Sequence, residues 1–416
     1  MGEAGTVMEH AKFEPVAEGG VTLPTGFRAG GVHCGLKKNG HNDLGAIVCD
    51  VPAAAAAVYT TNKFQAAPLL VTRDSLAQEG RLRAVLVNSG NANACTGRQG
   101  EEDARAMRAG LAQALGVPAH QVAVASTGVI GQPLNMAAIR SGIGLLTERL
   151  GDGASGLTAF NEAIMTTDLV RKLAGARVTV EGRTVTIAGV AKGAGMIHPN
   201  MATMLGFITT DAAIAPSALQ ELLRETADVT FNMITVDGDT STNDMVLAMA
   251  SGLAGHAELT RGHPDYPAFA AGFRYVCEEL AKAIARDGEG ATKLMEVLVT
   301  GAVSDASARV IARTIAGSSL VKSALFGADA NWGRIIAAVG RAGEPVNTDT
   351  VDIRLGDIVT LEQSRPVPFD EEAALAYLKG DTVRIRVDLN MGPGRATAWG
   401  CDLTYEYVRI NADYRT

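Results

Sequence analysis

From about Ala46 onwards, short apolar runs alternate with longer stretches of helical period. Leu82–Asn88 has the character of a buried strand, and the amphipathic, helix-forming segment Glu101–Leu115 follows it. The same order recurs downstream, where the apolar run Gln121–Ala125 precedes a predicted helix at Leu134–Leu150. Strands separated by helices of this length are typical of α/β proteins. We therefore predict an α/β fold.

The later part of the chain continues this pattern and becomes richer in strands from about Val351. Two alternating runs flank Glu181-Gly182, a two-residue turn that predicts a β-hairpin over Arg177–Ala188. Residues 1–45, by contrast, are rich in glycine and show no clear period. Further elements are predicted, in chain order, as a helix at Ala218–Thr226, a strand at Met245–Ala250, a helix at Ala268–Arg286, a strand at Leu294–Thr300, a helix at Ala306–Ile315 and a strand at Val383–Asp388.

Composition and charge narrow the class of protein. Hydrophobic residues make up 47% of the chain and charged residues 20%, which allows a large core. The net charge of −8 speaks against a nucleic-acid-binding protein. The five cysteines are odd in number and lack C-x-x-C spacing, so they favour free thiols in a reducing compartment. Without an apolar signal-peptide core or a run of about 18 apolar residues, we expect a cytoplasmic protein with no membrane span.

Three candidate motifs for binding metal or phosphate lack residues that such motifs require. Asp237–Asn243 resembles the start of a calcium loop but lacks the required glycine and the final glutamate, so a polar turn is the better interpretation. Gly288–Lys293 lacks the Gly-Lys-Ser/Thr ending of a phosphate loop. The histidines form no H-E-x-x-H motif, and His33 and His41 have no third ligand nearby. We expect neither a metal site nor a bound cofactor.

One stretch has an unusual combination of residues that can bear on function. Lys192–Leu205 (KGAGMIHPNMATML) combines two glycines and a proline, which favour irregular backbone, with a threonine among small and apolar residues. By default Thr203 is a strand residue chosen for its β-propensity. The residues alone therefore leave its role open.

This run is similar to the motif of the ornithine acetyltransferase family, the self-cleaving glutamate N-acetyltransferases of arginine biosynthesis. The agreement covers almost every position of the run and extends over nearly the whole chain. The other segments that carry the resemblance are Asn88–Gly97 (NSGNANACTG), Ser126–Gly131 (STGVIG), Met165–Asp168 (MTTD), Asp287–Lys293 (DGEGATK), Gly327–Arg334 (GADANWGR) and Tyr407–Ala412 (YVRINA).

The resemblance implies self-cleavage between Ala202 and Thr203 into fragments 1–202 and 203–416. A threonine hydroxyl is a weak nucleophile that needs an adjacent base. An N-terminal threonine has one in its own α-amine, whose pKa of about 8 lies close to working pH. Cleavage before Thr203 therefore creates the nucleophile, and the small Ala202 leaves room for the attack.

The resemblance also assigns the remaining site residues. Thr127 and Gly128, at a predicted junction between a strand and a loop, are implied as the oxyanion hole, whereas the residues alone favour a tight turn after the strand. Lys192 and Glu289, taken alone, are ordinary solvated charges. The choice between Thr166 and its neighbour Thr167 stays open. The substrate-binding residues implied by the resemblance are Thr166, Lys192, Thr203, Glu289, Asn411 and Thr416.

The implied fold is an α/β sandwich of the N-terminal-nucleophile type over residues 1–285, followed by a smaller C-terminal α/β domain over residues 286–416. The implied reaction is a ping-pong transfer of acetyl from N2-acetylornithine to glutamate through acetyl-Thr203, with acetyl-CoA as a donor in some members. The implied assembly is a heterotetramer of two 1–202 and two 203–416 fragments.

Two alternatives remain at this point. An N-terminal-nucleophile aminopeptidase or amidase shares the acyl-enzyme step but transfers the acyl group to water. A nucleotide-binding module that uses the Gly-rich loops belongs to another class, and the incomplete phosphate motif counts against it. The sequence leaves open the use of acetyl-CoA, the oligomeric state and the domain boundary.

Overall fold

Two mixed β-sheets and the helices packed on them form the part of the chain that the computed structural model describes, residues 13–198 and 204–413. The α/β class is confirmed. The strands are β1 (Phe13–Pro15), β2 (Phe27–Val32), β3 (Leu44–Tyr59), β4 (Arg81–Asn91), β5 (Val122–Val129), β6 (Lys172–Val180), β7 (Arg183–Lys192), β8 (Leu205–Thr210), β9 (Met245–Ala250), β10 (Leu294–Ala302), β11 (Asp352–Leu355), β12 (Ile358–Glu362), β13 (Arg365–Pro366), β14 (Thr382–Asp388) and β15 (Gly394–Cys401).

Helices connect most of these strands, and several begin with a proline or a side-chain cap. α7 begins after Ser304, whose side chain accepts a hydrogen bond from the Ser307 N–H. The α-helices are α1 (Ala67–Glu79), α2 (Gly97–Leu115), α3 (Met136–Thr147), α4 (Ala154–Ile164), α5 (Pro216–Val229), α6 (Tyr266–Arg286), α7 (Asp305–Ala316), α8 (Ser319–Phe326), α9 (Trp332–Gly340), α10 (Glu371–Leu378) and α11 (Tyr405–Asp413). None of the described helices is both long and apolar enough to cross a lipid bilayer.

The larger sheet has the strand order β1-β6-β7-β8-β9-β3-β4-β5, and β2 also pairs with β3. β4 and β5 run parallel, as do β8 and β9, while β6, β7 and β8 are successively antiparallel. The smaller sheet has the order β13-β12-β11-β14-β10-β15. The ends of β5 and β7, which carry Thr127, Gly128 and Lys192, belong to the larger sheet.

The core runs from one sheet into the other. Ile187 of β7, Leu280 of α6 and Val297 of β10 are fully buried members of a single apolar cluster. The change of sheet falls between β9 and β10, and α6 lies in that interval. A domain boundary between residues 285 and 286 remains a prediction, because the shared core does not by itself divide the chain.

The predicted hairpin is confirmed. β6 and β7 are antiparallel from Lys172 opposite Ala191 to Val180 opposite Arg183. Glu181 and Gly182 have φ of +49° and +73°, and two successive positive φ values are what a type I′ turn requires.

The predicted loop at residues 126–128 is wrong. β5 continues through Ser126, Thr127 and Gly128, which pair in parallel with the end of β4. β4 likewise extends to Asn91, three residues beyond the strand predicted at Leu82–Asn88. Polar and glycine residues ended the apolar pattern at these positions, whereas the ladder hydrogen bonds to the neighbouring strand continue beyond it.

Candidate active site

Residues from six separate parts of the chain surround one cavity of about 560 Å³, counted out to its open mouth. Six residues predicted for the site lie on its wall: Thr127, Gly128, Thr166, Lys192, Glu289 and Asn411. Thr167 also lines it, so both members of the threonine pair reach the cavity. Ala202, Thr203 and Thr416 lie outside the described residues, so their place in the site stays a prediction.

Thr127 and Gly128 reach the cavity at the end of β5. Gly128 has φ of +131°, a backbone conformation that side chains rarely adopt. A Cβ atom at this position would also lie 2.4 Å from the carbonyl carbon of Gly90 on the adjacent strand. Glycine is therefore required here for two independent reasons. The Thr127 hydroxyl and the backbone beside Gly128 suit the stabilisation of a developing oxyanion.

Lys192 stands at the end of β7 and is only 2% exposed. Its Nζ donates a hydrogen bond of 3.4 Å to Thr127 Oγ1. Burial lowers the pKa of this ammonium, while the carboxylates of Asp168, Asp244 and Glu289 act in the opposite direction. A buried cation among acidic groups and a hydroxyl is suited to binding the carboxylate of a small substrate.

A buried network of ion pairs lies close to Lys192. Lys172 Nζ donates to Asp168 Oδ1 at 2.7 Å and to Asp287 Oδ2 at 2.6 Å. Asp168 also accepts the N–H groups of Gly193 at 2.6 Å and Thr166 at 3.0 Å. Burial opposes ionisation of Asp168, but the ammonium groups of Lys192 and Lys172 and these hydrogen bonds outweigh it and lower the pKa of this carboxyl. The network therefore joins two walls of the cavity.

Glu289 and Asn411 form the outer side of the cavity. Asn411 Nδ2 donates to Glu289 Oε2 at 2.8 Å, and the Glu289 N–H donates to the carbonyl of Ala194 at 2.8 Å. A Cβ atom on Gly195 would lie 2.3 Å from the Glu289 carboxyl carbon, so only glycine leaves room for this carboxylate. The carboxylate can accept hydrogen bonds from a substrate ammonium at the cavity wall.

The polar loop between Asp237 and Asp244 is the part of the site that sequence reasoning missed. Ser241, Thr242 and Asn243 line the cavity, although they were interpreted as an ordinary polar turn. The Asn243 amide donates to the carbonyls of Ala92 at 2.6 Å and Ser126 at 2.8 Å and so connects the loop to the end of β5. A useful signal was the density of hydroxyl and amide groups next to an entirely apolar strand.

The same region offers no evident metal site. Within residues 13–198 and 204–413, no three His, Cys, Asp or Glu side chains come close enough to hold a metal ion. The polar groups of the cavity are instead a buried ammonium, a carboxylate, hydroxyls and an amide. Together they can bind an amino acid and stabilise a negatively charged oxygen, which are requirements of acyl transfer to or from an amino group.

The fold and the cavity are those of an α/β protein with the polar groups that acyl transfer needs. The chain belongs to the ArgJ family, whose family model matches residues 28–416. It is 59% identical over 406 residues to the arginine biosynthesis bifunctional protein ArgJ of Geobacillus kaustophilus, covering 98% of each chain. The protein of the same name from Bacillus subtilis is 54% identical over 398 residues, covering 96% of this chain and 97% of the relative.

A solved structure gives a third comparison. The crystal structure of the arginine biosynthesis bifunctional protein from Bacillus halodurans has 60% sequence identity and a TM-score of 0.51, and it covers 51% of this chain and 100% of its own chain. The resemblance stated from the motifs is thus confirmed at the level of the family. Family membership favours the predicted acetyltransferase over an aminopeptidase and over a nucleotide-binding module.

Proposed function

We propose that this protein transfers the acetyl group of N2-acetylornithine to glutamate through an acetyl ester on Thr203. The observation that carries the proposal is the convergence of Thr127, Lys192, Glu289 and Asn411, far apart in the sequence, on one cavity. Gly195 and Met196 line the cavity, and Thr203 follows them closely in the sequence. The names of the relatives, which assign them to arginine biosynthesis, agree with these substrates.

The first reaction is self-cleavage into fragments 1–202 and 203–416. Thr203 Oγ adds to the carbonyl carbon of Ala202, and the C–N bond breaks as the Thr203 nitrogen takes up a proton. Water then hydrolyses the resulting ester, leaving the Ala202 carboxylate and a free amine and hydroxyl on Thr203. The solved relative that covers about half of this chain is matched over its full length, which is the proportion expected of one such fragment.

The second reaction uses the freed threonine. Its α-amine takes the hydroxyl proton as Oγ attacks the acetyl carbonyl, and the proton passes to the nitrogen of departing ornithine. The amine of glutamate then attacks the acetyl ester, N-acetylglutamate leaves, and Oγ regains its proton. In this proposal, Thr127 and the backbone N–H at Gly128 stabilise the oxyanion that forms in each of these two attacks.

Substrate recognition divides between two charged groups. Lys192 binds the α-carboxylate, because its ammonium is buried beside Thr127 and this residue lines the cavity. Glu289 binds the side-chain ammonium of ornithine, and Asn411 holds that carboxylate in place. Thr166 and Thr416 complete the set of substrate-binding residues carried over from the family resemblance.

Three finer properties belong to the same proposal. Acetyl-CoA serves as a second donor to Thr203, in keeping with the word bifunctional in the relatives' names. The two kinds of fragment assemble as a heterotetramer with two copies of each. The enzyme works in the cytoplasm, which is supported by five cysteines that all remain free thiols.

Mass spectrometry and a denaturing gel test the proposal. The purified protein should run as two bands, each near half of 43.1 kDa. After mixing with N2-acetylornithine alone, the 203–416 fragment should gain one acetyl group, and later addition of glutamate should remove it. A single uncut band from active protein contradicts self-cleavage, and turnover that does not depend on glutamate favours an amidase.

A further inference from the structure

The polar loop that lines the cavity ends in an aspartate at each side, and each carboxylate holds the backbone at one flank of residues 199–203. Asp237 accepts the N–H groups of Met196 at 2.6 Å and Ile197 at 2.9 Å. Asp244 Oδ1 accepts the N–H of Met204 at 2.8 Å. The two flanks therefore depend on opposite ends of a single loop.

Backbone contacts and packing strengthen both attachments. The Ile197 carbonyl accepts from the N–H of Val236 at 2.8 Å, and the Met204 carbonyl accepts from the N–H of Met245 at 3.2 Å. Ile197 is fully buried, and Met204 is 1% exposed. Each flank is thus held by a carboxylate, by the adjoining backbone and by the apolar core.

Resting on the proposed self-cleavage, we propose that Asp237 and Asp244 are positioning residues that hold the two flanks of the Ala202–Thr203 bond in register for that reaction. We call these two carboxylates the anchor pair. Attack of a hydroxyl on the preceding carbonyl requires a specific backbone geometry, and displacement by about 1 Å can cost a reaction roughly 10²-fold in rate. Fixing both flanks to one short loop limits such displacement. After cleavage, Asp244 continues to hold the residue that follows the nucleophile.

Asp244 acts in this role as a hydrogen-bond acceptor for the Met204 N–H. It is fully buried, and Oδ1 is the oxygen that accepts this N–H. Burial raises the pKa of this carboxyl well above its usual range, despite the Met204 N–H and the nearby Lys192 ammonium. The carboxyl group has an acceptor oxygen for Met204 in either protonation state, and an asparagine amide offers the same oxygen.

The test measures the rate at which the full-length chain is converted into two fragments, followed on denaturing gels. Asp244→Ala, which removes the acceptor for the Met204 N–H, should slow cleavage by about tenfold or more. Asp244→Asn retains that acceptor and should restore most of the rate. Asp237→Ala should also slow cleavage, and Asp237→Asn should have a smaller effect because it keeps one of two acceptor oxygens.

Two matched controls separate the anchor pair from general effects of the loop. Asp239→Asn removes a charge from an exposed position of the same loop and should leave cleavage unchanged. Tyr407→Phe removes the hydrogen bond between that phenol and Asp237 without disturbing the backbone contacts, and it should also cleave normally. Thermal unfolding of each uncut variant identifies any variant that slows cleavage only because it is unfolded.

The outcomes distinguish a failure of the positioning role of the anchor pair from a failure of the proposed self-cleavage. An uncut wild-type chain overturns the self-cleavage itself. A cut wild type together with Asp237→Ala and Asp244→Ala variants that cleave at its rate overturns the anchor pair alone. Loss of cleavage in a folded Asp244→Asn variant also overturns it, because the ionisable proton and not the acceptor oxygen would then be the required feature.

Discussion

Two sides of the cavity differ in the elements that carry their residues. We call the side with Lys192 and Thr127 the inner wall and the side with Glu289 and Asn411 the outer wall. On the inner wall, Lys192 and Thr127 are 2% and 3% exposed and stand at the ends of strands within the larger sheet. On the outer wall, Asn411 belongs to α11, a helix that has no buried residues. Glu289, which it contacts, lies in the short connection between α6 and β10.

The difference matches the demands placed on each wall. Charge that develops in a transition state is best stabilised by groups that need no rearrangement, and strand ends supported by a buried ionic network supply them. Side-chain recognition has to accommodate both ornithine and glutamate in the proposed reaction. Asn411 lies on an exposed helix, and such an element can adjust between two substrates at lower cost.

The largest effect is expected from the proposed nucleophile, Thr203. Thr203→Ala removes the nucleophile of cleavage and of transfer, so the chain should remain whole and activity should fall by at least about 10⁴-fold. Thr203→Ser is the matched control, because its hydroxyl should retain cleavage and measurable transfer. Gels and steady-state rates provide the measurement. Substantial transfer by Thr203→Ala would mean that neither wall is organised around this residue.

Thr127→Ala tests the inner wall directly. Loss of one oxyanion donor should lower kcat by about 10²–10³-fold while KM changes little, because the donor acts mainly on the transition state. Thr179→Ala, an exposed position on β6, is the control. Steady-state kinetics with N2-acetylornithine measure both constants. A rise in KM at unchanged kcat would assign Thr127 to ground-state binding instead.

Asp168→Asn tests whether the buried network positions the inner wall. Removing this charge from its pair with Lys172 should destabilise the protein by about 3–5 kcal/mol, and the resulting displacement should lower kcat/KM by about 10²-fold. Asp168 raises the pKa of Lys192, so without it this ammonium should deprotonate at lower pH. As pH rises, the variant should therefore lose substrate binding at a lower pH than the wild-type protein does.

Denaturant unfolding and the pH profile of kcat/KM check this variant, with Asp152→Asn as an exposed control. A purely structural role for Asp168 predicts lower stability with an unshifted profile. Lower stability together with a shifted alkaline limb supports a link between the network and Lys192.

Glu289→Gln tests the outer wall. It keeps the size of the side chain but loses a charge-assisted hydrogen bond of about 1.5–3 kcal/mol, which corresponds to roughly 10- to 150-fold in kcat/KM for N2-acetylornithine. The control is Glu362→Gln at an exposed position on β12. Unchanged kinetics would limit Glu289 to a structural role, through its hydrogen bond with Asn411.

The smallest effect is expected from Asn411→Ala. This variant removes the amide that donates to Glu289, a hydrogen bond whose net contribution is about 0.5–1.5 kcal/mol, or roughly two- to tenfold in kcat/KM. The comparison of kcat/KM with that of Glu289→Gln is the measurement. A larger loss for Asn411→Ala than for Glu289→Gln would show that the outer wall is as strictly organised as the inner one.

Several features could be predicted from the sequence because they depend on neighbouring residues. The β6–β7 hairpin follows from Glu181-Gly182, since a two-residue turn between alternating runs sets the register of both strands. The α/β class follows from the alternation of strand and helix periods. The motif Lys192–Leu205 identified the region of the site, because many specific positions agree with one family.

Other features depended on the tertiary structure, because the residues concerned are far apart in the chain. The alanines at 53–57 favour a helix by local propensity, yet they lie in β3, where small side chains are buried on both faces of the sheet. Lys172 and Asp287 are separated by 115 positions, and their ion pair exists only because the two ends of the network are packed together. The anchor pair likewise looks like the ends of a polar turn until folding brings Met196 and Met204 against it. Local preference thus decided the hairpin and the class of fold, while packing between distant segments decided which polar residues share one buried site.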